Sequence, residues 1–217
     1  MHTSLKTGLL ALTAALLLAT AVSTATARNL SLNSTTFRVT WREIQFDTDR
    51  VVCELTLEGS FHYRTIAKVR GSLIGLITKA IIRHPCQVSE GWMDNETERP
   101  LGAAIRNTLP WHLTYEEFLG TLPRITGTVV LIRNMSSVVN VSGICLGRYG
   151  TATDNISALA DEDASGNLGT VTPVAGRNRL TLRERLGGIF CPGTAGLTGT
   201  GNVTQLNSTS RIVVTLI

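Results

Sequence analysis

The eleven residues VVCELTLEGSF, Val51 to Phe61, constrain this chain more than any other stretch. Val51, Cys53, Leu55, Leu57 and Phe61 fall on one parity, and Glu54, Thr56, Glu58 and Ser60 on the other. A period of two belongs to a pleated strand, whose successive side chains point to opposite faces. One apolar and one polar face describe an antiparallel sheet that packs on one side and meets water on the other. Phe37, Val39 and Trp41 repeat the pattern against Arg38, Thr40 and Arg42, and Asp47-Thr48-Asp49 between the two runs predicts a hairpin. Further strands are expected at 127–133, 137–143, 144–149, 178–184 and 211–217. The polar run 149–169 reads as the longest loop and the natural seam. The expected fold is therefore all-β: an antiparallel β-sandwich, or a partly closed barrel, with two disulfides.

Those disulfides follow from four cysteines, Cys53, Cys86, Cys145 and Cys191, none in a C-x-x-C spacing that would hold zinc or a redox centre. Pairing Cys53 with Cys86 and Cys145 with Cys191 closes loops of 33 and 46 residues, against 138 for Cys53 with Cys191. Shorter loops close at lower entropic cost, and each bridge then contributes about 3 to 4 kcal/mol on the chain-entropy model.

An oxidising destination is written at the other end of the sequence. Residues 1–27 carry Lys6, an apolar run from Gly8 to Val22, and small residues at Ala25 and Ala27, the pattern of a cleaved secretory signal. The run falls short of the roughly 18 to 20 residues that span a bilayer. Residues 28–217 are then expected to form one exported domain. Among 20 basic residues only three are lysines, a bias that points to a bacterial gene of high GC content. A net charge of +4 is too small to argue for nucleic acid, and 5% aromatic residues are too few for the girdles of an outer-membrane barrel.

Three stretches are candidates for chemistry. TLPWHLTYEEFLGTLP, residues 108–123, crowds His112, Glu116 and Glu117 among aromatic residues. Alternation of Trp111, Leu113 and Tyr115 with His112, Thr114 and Glu116 predicts a strand rather than a helix carrying an i, i+4 ligand pair. On a regular strand Glu116 and Glu117 point to opposite faces and cannot act on one bond. A secreted hydrolase is thereby left needing His112 or His62 and a carboxylate from a different strand, and no catalytic residue is assigned. Asp161, Asp163, Ser165 and Gly166 match the first positions of a calcium loop, with Thr172 where a bidentate glutamate is wanted, so only weak calcium binding is expected.

The third stretch, 59–89, has no Asp or Glu but carries Arg64, Lys68, Arg70, Lys79 and Arg83. Its glycines and β-branched residues favour a hairpin over a basic amphipathic helix, with Tyr63, Thr65, Ala67 and Val69 inward and the cations outward. Five cations without adjacent acids suit an anionic partner, either a cell-surface polymer or a membrane surface. The function expected from the sequence is that of an exported, non-catalytic binding or structural protein, with no cofactor.

Overall fold

The structure, a computed structural model, describes residues 29–46, 51–83, 86, 91–94, 108–122, 124–141 and 144–217. The signal-like segment 1–27 and the turn 47–49 lie outside them. The described strands are β1 (Asn29–Leu32), β2 (Thr36–Phe46), β3 (Val51–Phe61), β4 (Thr65–Ala67), β5 (Leu73–Arg83) and β6 (Gly91–Asp94). They continue with β7 (Trp111–Leu119), β8 (Gly127–Arg133), β9 (Ser137–Val141), β10 (Cys145–Tyr149) and β11 (Asn155–Glu162). The last are β12 (Leu168–Pro173), β13 (Arg179–Gly187), β14 (Thr194–Thr198), β15 (Gly201–Thr204) and β16 (Val214–Leu216).

The chain is all-β and antiparallel, and it takes the barrel form. Eight strands pair in the order β2-β3-β5-β7-β8-β11-β12-β15, and β15 returns to β2 through Val203 opposite Val39. Closure leaves no edge in that ring, and eight strands enclose a space that side chains fill or that holds one small ligand. The expected parity holds: Phe37, Val39, Trp41, Leu55 and Leu57 are buried, whereas Arg38, Thr40, Glu54, Thr56 and Glu58 are partly exposed. Burying each large aliphatic side chain stabilises the barrel by about 1.5 to 3 kcal/mol.

A bulge at Arg42 and Glu43 lets β2 serve two sheets. Trp41 stands opposite Leu55 and Ile44 opposite Cys53, so two residues of β2 face the single Glu54 of β3 and one extra residue lies on β2. Bulges bend a strand, and beyond this one Gln45 and Phe46 pair with β14 instead of β15. From β14 the side sheet continues through β13, β10 and β9 to β6. The edge of the Phe46 ring meets Tyr149 of β10 with ring centroids 5.4 Å apart, joining the two cores.

Both disulfides are as expected, Cys53–Cys86 and Cys145–Cys191. The first starts where β3 begins, and the second closes the loop after β13 onto β10. Two expectations fail. The run 149–169 is not a loop, because Asn155–Glu162 forms β11 in the barrel wall between β8 and β12. Its inward side chains are Ile156, Ala158 and Ala160, and alanines give a weak period although all three are buried. Residues 64–83 are neither the expected hairpin nor a helix, since β4 pairs with β1 while β5 pairs with β3 and β7. Ile66 is consequently the buried residue of β4, and Tyr63, Thr65, Ala67 and Val69 are exposed.

Candidate functional site at the capped end of the barrel

One mouth of the barrel is covered by a small sheet in which β1 lies between β4 and β16. Leu30, Leu32, Ile66 and Val214 turn inward from these strands and, with Ile212 just before β16, close the interior. Under this cap lies a cavity of about 90 Å³, bounded from the barrel side by Phe37, Trp41, Ile77 and Ile132 among others. Among the described residues Thr128 is the one residue with a polar side chain other than tryptophan in its wall. The Thr128 hydroxyl donates to Glu162 Oε1 at 3.0 Å. Burial pushes the Glu162 carboxyl above its usual range, against the lowering effect of that hydrogen bond.

The two loops flanking β4 form an exposed rim beside the cap. His62 N–H donates to the Ile74 carbonyl at 2.9 Å and Gly71 N–H to the Tyr115 carbonyl at 2.7 Å, which fixes both loops against β5 and β7. Tyr63 is 76% exposed and Val69 60%, and Leu73 is exposed beside them. Arg64, Lys68 and Arg70 alternate with these apolar side chains in the sequence. Lys68 Nζ sits 4.6 Å from the centre of the Phe118 ring. The adjoining β7–β8 hairpin adds exposed Leu119, Leu122 and Arg124. Among the described residues neither Arg64, Lys68 nor Arg124 has an acidic partner.

The five expected cations do not share one face. Lys79 and Arg83 lie along β5, where cross-strand register puts them opposite Glu58 and Glu54 of β3, at 3.8 and 3.5 Å. Arg70 reaches Glu116 Oε1 at 3.1 Å. The acid-free stretch is thus balanced from neighbouring strands for three of its cations, and Arg64 and Lys68 remain for a partner. Reasoning from the sequence missed Tyr63, Val69, Leu73 and Arg124. The only available signal for the first two was that Ile66 is flanked by small or polar residues on both sides.

The stretch 108–123 forms β7, as the alternation predicts, but a bulge between Tyr115 and Glu117 changes what its carboxylates do. Glu116 is only 6% exposed. Arg177 forms an ion pair with Glu116 and reaches Glu117 at 3.6 Å, so the bulge turns both carboxylates toward one guanidinium rather than to opposite faces. Ser157 Oγ donates to Glu116 Oε2 at 3.4 Å. Burial first, and the Glu117 charge second, push the Tyr115 phenol above its usual value. Among the described residues neither His62 nor His112 bonds to a carboxylate, and the Glu116 carboxylate is taken up by Arg70, Arg177 and Ser157.

Asp161, Asp163 and Ser165 sit at the β11–β12 hairpin. Asp163 Oδ1 accepts from the backbone N–H of Ser165 at 2.8 Å and of Asn167 at 3.0 Å, and Arg211 Nη1 stands 3.2 Å from Oδ2. The Asn167 amide foremost, then these N–H groups, hold the Asp163 carboxyl below its usual range. Asp161 instead accepts from Thr170 Oγ1 at 3.2 Å. The two carboxylates therefore have separate partners, one of them already a cation. Among the described residues no group of three or more His, Cys, Asp or Glu could hold a metal ion.

No protein-family model, curated protein or solved structure matches this chain. What can be said of the site rests on its own geometry: a closed apolar barrel, a short cap, and an exposed rim in which cations alternate with apolar side chains.

Proposed function

We propose that this is an exported, non-catalytic binding protein that rests its capped end on an anionic membrane surface. The observation carrying this reading is the rim, where exposed Tyr63, Val69 and Leu73 interleave with Arg64, Lys68 and Arg70. Apolar side chains enter the boundary between headgroups and acyl chains, while cations near an anionic surface gain about 1 kcal/mol each. An anionic polymer would use the cations but has no place for the apolar side chains between them. Two disulfides support an extracellular destination, because such bonds persist in oxidising compartments.

Sedimentation with vesicles tests the reading. The protein is expected to bind phosphatidylglycerol vesicles and not phosphatidylcholine ones, more weakly at high salt because exposed charges are screened within about 8 to 10 Å. The triple variant Arg64→Gln, Lys68→Gln, Arg124→Gln should fold normally and bind on the order of a hundredfold more weakly. Arg70 is left in place because it faces buried Glu116. Binding to a soluble anionic polymer that persists in a Tyr63→Ser, Val69→Ser variant would move the partner from membrane to polymer.

A further inference from the structure

We propose that Asn207, at the tip of the loop between β15 and β16, carries an N-linked glycan. Eight of the eleven asparagines in the chain have serine or threonine two positions later with no proline between, among them Asn33, Asn155, Asn202 and Asn207. Serine and threonine supply 44 of the 217 residues, so about two such matches would arise by chance. Strand alternation does not account for the excess, since Asn33, Asn134 and Asn207 lie outside the strands. N-x-S/T is the acceptor pattern for glycan transfer to exported chains, and a bulky glycan requires its asparagine at the surface.

The fold divides the asparagines along the same line. Among the described residues, no asparagine with the pattern is buried. The two described ones without it are tied down: Asn178 is 6% exposed and donates to the Leu197 carbonyl, and the Asn167 amide donates to Asp163 Oδ2 at 2.9 Å. Asn207 is exposed together with Ser208 and Thr209, and its side chain makes no hydrogen bond among the described residues. Asn33 Oδ1, by contrast, accepts from the Val213 N–H at 2.9 Å, and Asn202 sits in a strand paired on both sides, opposite Thr40 and Thr170. The neck of the Asn207 loop is closed by the Gln205 N–H donating to the Ser210 carbonyl at 2.8 Å. At the tip Asn207 has a φ of 63°, left-handed backbone that asparagine tolerates better than most residues.

Transfer joins the Asn207 side-chain nitrogen to the anomeric carbon of a glycan carried on a lipid pyrophosphate. The bond from that carbon to the carrier's phosphate oxygen breaks, the lipid pyrophosphate leaves, and the amide gives up one proton. The modification needs only that the chain be exported, so it stands apart from the membrane reading. It also leaves the rim clear, because β15 lies three strands round the barrel from β5 and four from β7.

The test is peptide mass spectrometry of the full protein, purified from the organism that makes it and not from a foreign host. The peptide spanning Asn207 is expected to carry sugar residues on the asparagine itself, located by fragmentation. Thr209→Ala, produced in the same organism, should lose the modification at Asn207 completely, and Thr209→Ser should keep it. Thr209 is exposed, so neither change disturbs the fold by more than about 0.5 kcal/mol. An Asn207 peptide found only in its plain form overturns the proposal, as does modification that survives Thr209→Ala. The unsubstituted protein alone decides the first of these outcomes, whatever becomes of the variants.

Discussion

At the end of the barrel where β2 leaves for the side sheet, Cys53–Cys86 and Cys145–Cys191 cross-link the strands and Tyr149 packs on Phe46. At the capped end three short strands do the covering, and no cysteine lies among them. Both ends bury apolar residues equally well: Leu180 of the side sheet is 0% exposed and Leu30 of the cap 1%. They differ in what holds those residues in place. Covalent loops and a long ladder act on one side, whereas the cap depends on a handful of hydrogen bonds such as Leu32 N–H to the Arg64 carbonyl at 2.7 Å. Local stability follows contact density and ladder length, so the capped end is the one built to open.

The sharpest way to break this contrast is to remove a staple. Replacing Cys145 and Cys191 by serine should cost about 3 to 4 kcal/mol, the loop-closure term for their 46-residue separation, read as a fall in the denaturant midpoint. Vesicle binding by the capped end should survive in whatever fraction stays folded. Glu116→Gln comes next. Its arginine partners are substantially exposed, so the change strands no buried charge and should cost about 1 to 3 kcal/mol, less than breaking a fully buried pair. Thermal or urea unfolding measures it, and no loss at all would mean that the Arg70 and Arg177 contacts are idle.

Two carboxylates carry the comparison into pH. Asp154 lies between β10 and β11, where burial works to raise its pKa but the N–H and hydroxyl groups of Thr181 and Thr151 outweigh it and hold the carboxyl low. A depressed folded-state pKa stabilises the protein above the unfolded value of about 3.9 and is lost as pH falls through the folded value. Asp154→Asn should therefore destabilise at pH 7 and have little effect at pH 2. Glu162 has the opposite sign, because burial raises it. Its charged form is penalised above the folded pKa, and the penalty vanishes as pH falls below the unfolded value of about 4.3. Glu162→Gln is expected to stabilise at neutral pH and to lose that advantage in acid. Smallest of all is the stability effect of the triple substitution at Arg64, Lys68 and Arg124, under about 0.5 kcal/mol per site for exposed side chains.

The sequence made the stapled half legible and left the capped half obscure, for physical reasons. Strands rich in Leu, Ile, Val and Phe, such as β2 and β3, announce their inner face through a strong period of two. β11 turns alanines inward, and β1, β4 and β16 are too short to establish any period. The bulge at Glu116 leaves no mark in composition, although it decides that Arg177 can reach both Glu116 and Glu117. The acid-free run 59–89 misled because its acids come from register: Glu54 and Glu58 belong to β3 and meet Arg83 and Lys79 only once β3 pairs with β5. Tyr63 and Val69 were expected inside because alternation gives two parities and does not say which is which; Ile66, the one large aliphatic residue of β4, decided it.

A second apolar feature makes the choice of end testable. In the loop closed by Cys191, Ile189 is 84% exposed and Phe190 also protrudes, with Arg183 and Arg185 exposed on β13 nearby. Hydrogen exchange of the backbone amides, with and without phosphatidylglycerol vesicles, distinguishes the two ends in one experiment. The account predicts that amides of residues 62–72 and of the cap strands become protected on binding while those of 187–193 are unchanged. Protection at 187–193 with none at 62–72 would contradict it.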